Sequence, residues 1–211
     1  MMEESIQAMF FSTPRLKSYS SCIQHEDNFA LIARISPKIG ILEIVIRNKI
    51  NIILSEKNRH WWLELSPEIK IKGDIKQLDS LVSKQSMGFW VKVVEYFKIY
   101  DQIFSVDFLD CLDFKKYNEK NKNRFSDRAP LRNYQKATLI LQLLHTLRNR
   151  TFHFENLYKH TPKGDPRLSA KIKNKKNQEL YTALHPDKIL LFLNDLLESF
   201  HPKLASYAEK I

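Results

Sequence analysis

Glycine is scarce in this chain, with four in 211 residues, and proline numbers only eight. A large sheet needs many glycine-bearing tight turns and a phosphate-cradling loop needs clustered glycine, so both are excluded. The long runs of Leu, Ile, Lys and Glu argue for helix instead, and the expected class is all-α. Cysteine is nearly absent as well. Cys22 and Cys111 fit neither a zinc spacing nor a disulfide framework, which points to a reducing compartment. No stretch reaches the ~18 uncharged apolar residues of a membrane span. The start Met1-Met2-Glu3-Glu4 lacks the basic, then apolar, pattern of a signal peptide. Internal repeats, low-complexity tracts and clustered carboxylates are also missing. The expectation is a cytoplasmic protein of one helical domain over 1–211, with no membrane contact, cofactor or metal. Residues 1–85 would form its N-terminal part and 86–211 the remainder.

What is present is positive charge. Lys and Arg number 34 against 24 for Asp and Glu, a net charge of +10, which favours a polyanionic partner, nucleic acid first. A lysine-rich proteome would leave the same excess on any surface. The charge nevertheless concentrates in two stretches. Lys115, Lys116, Lys120, Lys122, Arg124, Arg128 and Arg132 form one, opposed by Glu119 and Asp127; Lys163, Arg167, Lys171, Lys173, Lys175 and Lys176 form the other, opposed by Asp165. Each either contacts phosphates or is a solvated segment, and their positions before and after one apolar run favour the first reading.

That apolar run is Leu139 to Leu157, where Leu139, Leu143, Leu144 and Leu147 recur at helical spacing. His145, Asn149 and His153 follow at i, i+4 and i+8 and so share a face, with Arg148 beside Asn149. Histidine can move a proton near neutral pH, and arginine offers a fixed fork of donors to phosphate oxygens. An amide can orient either one. A ribose 2′-hydroxyl positioned there could attack its own phosphodiester without a metal. The same spacing also suits two histidines bordering a core helix, with Arg148 reaching past them to water.

Local signals divide the rest. Ser12-Thr13-Pro14 predicts a helix from about Pro14 to Gln24, capped by Ser12 or Thr13. Asp27 or Asn28 would cap a second, interrupted at Ser36-Pro37. A third would run from Lys38 to Lys57, with Ile39, Leu42, Ile46, Ile50 and Ile53 as its core stripe and Glu43 paired to Arg47 at i, i+4. Trp61-Trp62 either stacks on unpaired bases or anchors a helix corner. Ser66-Pro67 predicts a polar helix through about Lys84. Gly88 opens one to about Tyr100 with Phe89, Val93, Val94 and Phe97 inward, and His185-Pro186-Asp187 opens a last helix from Ile189 to about Phe200.

Arg148-Asn149-Arg150-Thr151-Phe152-His153 resembles the R-N-x-x-x-H form of the R-x(4–6)-H motif of HEPN-domain ribonucleases, in a setting similar to the Abi-like (abortive infection) family of bacterial proteins. Three further landmarks occur in the same order as in Abi-like sequences: Arg15-Leu16-x-x-Tyr19, Leu42-Glu43 to Arg47-Asn48 with Trp61-Trp62 after it, and Met87-Gly88-Phe89-Trp90. The resemblance spans most of the chain. Phe152 and Phe154 depart from it, since many members carry small or polar residues around the histidine.

The resemblance implies a HEPN-like helical bundle with additional N-terminal helices, dimerising to set two motifs in a composite site. It implies a phage-defence or toxin endoribonuclease, controlled by an antitoxin or a non-coding RNA. Arg148, Asn149 and His153 would be catalytic, with Arg47, Asn48 and His145 auxiliary. RNA would be held by Lys115, Lys116, Lys120, Lys122, Arg124, Lys171, Lys173, Lys175 and Lys176. The runner-up is a HEPN module that binds RNA without cleaving it, and a DNA-binding regulator ranks lower, because no compact helix-turn-helix is visible.

Overall fold

The computed structural model of the chain describes residues 4–73 and 78–211. It is mainly helical, as expected. In chain order the helices are α1 (Glu4–Phe11), α2 (Thr13–Leu16), α3 (Cys22–Lys57), α4 (Leu78–Lys84), α5 (Met87–Phe97), α6 (Tyr100–Ile103), α7 (Val106–Cys111), α8 (Asn133–Phe152), α9 (Ile189–Phe200) and α10 (Leu204–Ala208). Among the described residues a single hairpin, β1 (Ser169–Lys173) with β2 (Glu179–Ala183), joins them.

The core forms around α3 and α8. The predicted stripe Ile39, Leu42, Ile46, Ile50 and Ile53 is buried on α3, and Leu139, Leu143, Leu144 and Leu147 are buried on α8. Helix α5 packs against both, α9 covers another side of α3, and β1 lies along α8. Trp61 sits in a short 3₁₀ turn, Trp61–Glu64, buried 5.9 Å from the Trp90 ring of α5, with its indole N–H donating to Asn51 at 3.1 Å. It anchors a corner, while Trp62 is half-buried.

Helix α3 departs from the sequence expectation. It runs unbroken for 36 residues through Pro37, where the sequence predicts two helices. Proline removes one backbone bond and costs about 3 kcal/mol inside a helix. Ile32 and Ile35 before it and Ile39 and Leu42 after it are all buried on one side. Each such side chain contributes about 1.5–3 kcal/mol, so packing on both sides outweighs the local break. The expected Pro14–Gln24 helix, in contrast, stops at Leu16 and a new N-cap at Ser21 starts α3. The helix predicted from Ser66-Pro67 does not form over 66–73; its middle lies outside the described residues, and only Leu78–Lys84 is helical. Helix α5 ends at Phe97, where Lys98 turns left-handed at φ 55°.

The hairpin is the second departure. Lys171 and Lys173 read as part of a charge run. They are the solvent side of a strand whose Ala170 and Ile172 are buried, in register with Tyr181 and Glu179. The period-2 alternation is present in the sequence but only five residues long.

Candidate functional site

Helix α8 carries the motif, and its C-terminal end is built without glycine or proline. Residue 153 is the last with a near-helical backbone (φ −95°, ψ 5°). Phe154 then adopts φ 53°. Its N–H bonds to Thr151 O at 3.0 Å and that of Glu155 to Arg150 O at 2.9 Å, the double closure of a Schellman turn. A non-glycine residue in this conformation costs on the order of 1–2 kcal/mol. Two side chains from the N-terminal segment hold it. Arg15 Nη2 donates to Phe154 O. Asn28 donates to Glu155 O at 3.2 Å and accepts from Leu157 N–H at 2.9 Å. Asn156 in turn donates to Ser18 O at 2.6 Å, and Tyr19 accepts from Asn28 at 3.1 Å. The Arg15-Leu16-x-x-Tyr19 segment thus fixes the turn that follows His153. The predicted helical run to Leu157 is corrected to a helix ending at Phe152.

Arg148 lies where α8 meets α3. Its Nε donates to Glu43 Oε2 at 3.1 Å, and its guanidinium carbon stands 5.1 Å from the centre of the Phe152 ring. Glu43 does not pair with Arg47, as the i, i+4 spacing suggests it should. Arg47 points its Nη1 to Ser83 O at 3.4 Å, and its Nε is buried with no hydrogen-bond partner among the described residues. Because Glu43 engages Nε, and the two terminal nitrogens of Arg148 have no hydrogen-bond partner among the described residues, those two nitrogens remain for an anion. Sequence reasoning missed Glu43 as a site residue. Its signal is its place on the half-buried flank of the Ile39-Leu42-Ile46 stripe.

His145 and Asn149 meet as the spacing requires, with Asn149 Nδ2 3.1 Å from His145 Nε2. The His145 pKa lies below the usual histidine value, chiefly because the ring is desolvated and secondly because Arg148 is near; Glu43 opposes both. A neutral ring that accepts from Asn149 at Nε2 carries its proton on Nδ1. Gly88, the start of α5, faces this ring closely: a Cβ at position 88 would stand 3.0 Å from His145 Nε2. The landmarks that lie far apart in sequence therefore converge on α8. Glu43 comes from the second, Gly88 from the third, and Arg15 from the first.

His153 stands apart from this cluster. Its side chain is exposed, with no hydrogen bond or ion pair among the described residues. Asn48 is exposed on α3 one helical turn from Ile44, and both Ile44 and Ile52 are large apolar residues left open to solvent (46% and 55%).

The basic residues divide into two kinds. Lys116 pairs with Asp195 at 2.7 Å, Lys120 with Asp165 at 3.3 Å, and Lys176 with Asp127 at 3.2 Å. Lys171 and Lys173 share Glu179 at 3.6 and 3.1 Å. A Tyr181 hydrogen bond, then one from Lys173, pulls the Glu179 carboxyl down to about 2. Lys115, Lys122, Arg124 and Lys175 are exposed and have no such pair among the described residues. The two basic stretches face each other across a cleft of about 700 Å³, lined on one side by Lys122 and Arg124 and on the other by Lys163 and Tyr181.

Comparison with protein-family models, with curated proteins and with solved structures finds no match to this chain. The geometry of α8 and its neighbours, with the motif resemblance, carries the functional reading. Among the described residues no helix is long and apolar enough to cross a membrane.

Proposed function

We propose that the chain is a HEPN-type endoribonuclease of a bacterial phage-defence or toxin system, cleaving RNA by attack of a ribose 2′-hydroxyl. The observation that carries this reading is Arg148: Glu43 fixes its Nε and Phe152 covers one side, leaving the terminal nitrogens on the same helix as, and five residues before, an exposed histidine at the helix end. A guanidinium held in this way presents two parallel donors to phosphate oxygens. It stabilises the charge that builds on them as the 2′-oxygen bonds to phosphorus. His153 takes the 2′-hydroxyl proton or supplies one to the departing 5′-oxygen. The phosphorus–5′-oxygen bond breaks, giving a 2′,3′-cyclic phosphate and a 5′-hydroxyl. Asn149 and the neutral His145 keep the end of α8 in register.

One chain offers one exposed histidine at this site, whereas the reaction uses both a base and an acid. A second copy supplying the other His153 completes it, and the apolar Ile44 and Ile52 support pairing through α3. Lys122, Arg124, Lys163 and Lys175 serve as the RNA-tracking rim. In the second reading, the protein binds RNA without turnover, and Glu43 favours it to this extent: its carboxylate already neutralises part of the Arg148 charge.

Incubating the protein with total cellular RNA in EDTA and mapping the ends decides between them. The expected products carry 2′,3′-cyclic phosphate and 5′-hydroxyl ends and vanish with His153→Ala. Intact RNA, or cleavage that His153→Ala leaves untouched, removes the nuclease assignment.

A further inference from the structure

Immediately beyond His153 the surface holds a small polar pocket of about 210 Å³. Arg15, Lys159 and Arg167 line it, together with Tyr19, Phe154 and Glu155. Three cations meet there, and none pairs with a carboxylate among the described residues. The one carboxylate on the rim, Glu155, turns to Arg150 at 3.5 Å. Arg15 spends one terminal nitrogen on Phe154 O, and its Nε is buried with no hydrogen-bond partner among the described residues.

The positive field is felt by neighbours. Arg150 loses proton affinity through burial first and the nearby Arg167 next. His25 is depressed by burial first and by Arg15 next. Like charges gathered without a counter-charge weaken the fold, which makes such a cluster costly unless an anion occupies it. The volume falls below the roughly 300–1,000 Å³ of sites that hold whole small molecules, so it suits one tetrahedral oxyanion and not a nucleotide.

We propose that Arg15, Lys159 and Arg167 form a phosphate subsite that receives a backbone phosphate of single-stranded RNA neighbouring the one at Arg148. The assignment rests on the ribonuclease reading for the direction of the strand, since the pocket opens at the residue after His153. Arginine supplies a planar fork and lysine a movable point charge, the usual combination for a phosphodiester. The turn clamped by Arg15 couples the subsite to the end of α8: the residue that binds the phosphate also holds the Phe154 carbonyl. Strand binding and His153 position are therefore set by one side chain.

The test uses full-length His153→Ala protein, so that RNA survives, with and without Lys159→Gln and Arg167→Gln. Both residues are exposed and carry no hydrogen bond from their side chains among the described residues, and circular dichroism checks that the fold is kept. Titrating a labelled single-stranded RNA at several salt concentrations should give a slope of log K against log salt shallower by roughly 0.7 for the double variant, the value for the one phosphate no longer held. Inorganic phosphate should raise the melting temperature of the parent protein and leave the variant unmoved. Superimposable slopes overturn the proposal. Phosphate stabilisation that disappears without a change of slope also overturns it, because the pocket then takes a free anion and not the RNA backbone. Since binding is read without turnover, absent cleavage in the wild type defeats the nuclease reading and leaves this result standing.

Discussion

Two glycines in comparable helical settings should respond to alanine with opposite signs. At Gly40, inside α3, an added Cβ meets nothing within 4 Å beyond its chain neighbours and the backbone of its own helix. The substitution then removes backbone entropy from the unfolded chain and gains about 0.5–1 kcal/mol. At Gly88 the same methyl would stand 3.0 Å from His145 Nε2 and 3.3 Å from its Cε1, inside the ~3.5–4.0 Å of an ordinary carbon contact. The ring cannot withdraw freely, because Nε2 is hydrogen-bonded to Asn149 at 3.1 Å. Overpacking of this kind costs about 1–3 kcal/mol. The gain in helix propensity offsets only part of that, so a net loss of about 1 kcal/mol follows. For a chain of this size ~1 kcal/mol moves the melting temperature by about 2–4 °C. Calorimetry should therefore show Gly40→Ala melting higher and Gly88→Ala lower than wild type. An NMR titration should show the His145 pKa displaced only in Gly88→Ala. If Gly88→Ala stabilises as much as Gly40→Ala and leaves His145 unchanged, the close approach of α5 to α8 at the motif is not real.

Three further outcomes are expected. His153→Ala should abolish cleavage while RNA affinity falls less than about tenfold, since a proton-transfer group typically contributes ~10²–10⁴ in rate and little ground-state binding; single-turnover kinetics beside a binding titration separates the two. Arg148→Lys should lose nearly as much cleavage as Arg148→Ala, because an ammonium cannot satisfy Glu43 and a phosphate with one fork; a fully active lysine variant would show that the guanidinium is not used. Stability should fall as the pH drops below about 6.5, the ordinary histidine value, since burial holds His145 and His25 below it. Over this window the unfolded chain binds more protons than the native one, so ΔG of unfolding rises with pH. Urea melts at about pH 7 and about pH 5.5, either side of that value, should show the loss, with a smaller dependence in His145→Gln.

The sequence by itself determined the helical class, because four glycines and long aliphatic stripes leave little else. It also located the buried faces of α3 and α8 and the meeting of His145 with Asn149, since a helical period of about 3.6 residues decides which side chains share a face. Those are properties of one segment at a time. Tertiary structure decided what depends on two segments meeting. Pro37 is carried through α3 because burial on both sides outweighs one missing backbone bond. Glu43 turns from its neighbour Arg47 to Arg148, 105 residues away in sequence, because α3 and α8 pack together there. Lys171 and Lys173 face solvent on a strand because Ala170 and Ile172 are buried on its other side, where β1 lies along α8. The left-handed Phe154 that ends the motif helix had no glycine to announce it. Its strain is held by Arg15 and Asn28, which reach this turn only once the chain has folded back on itself.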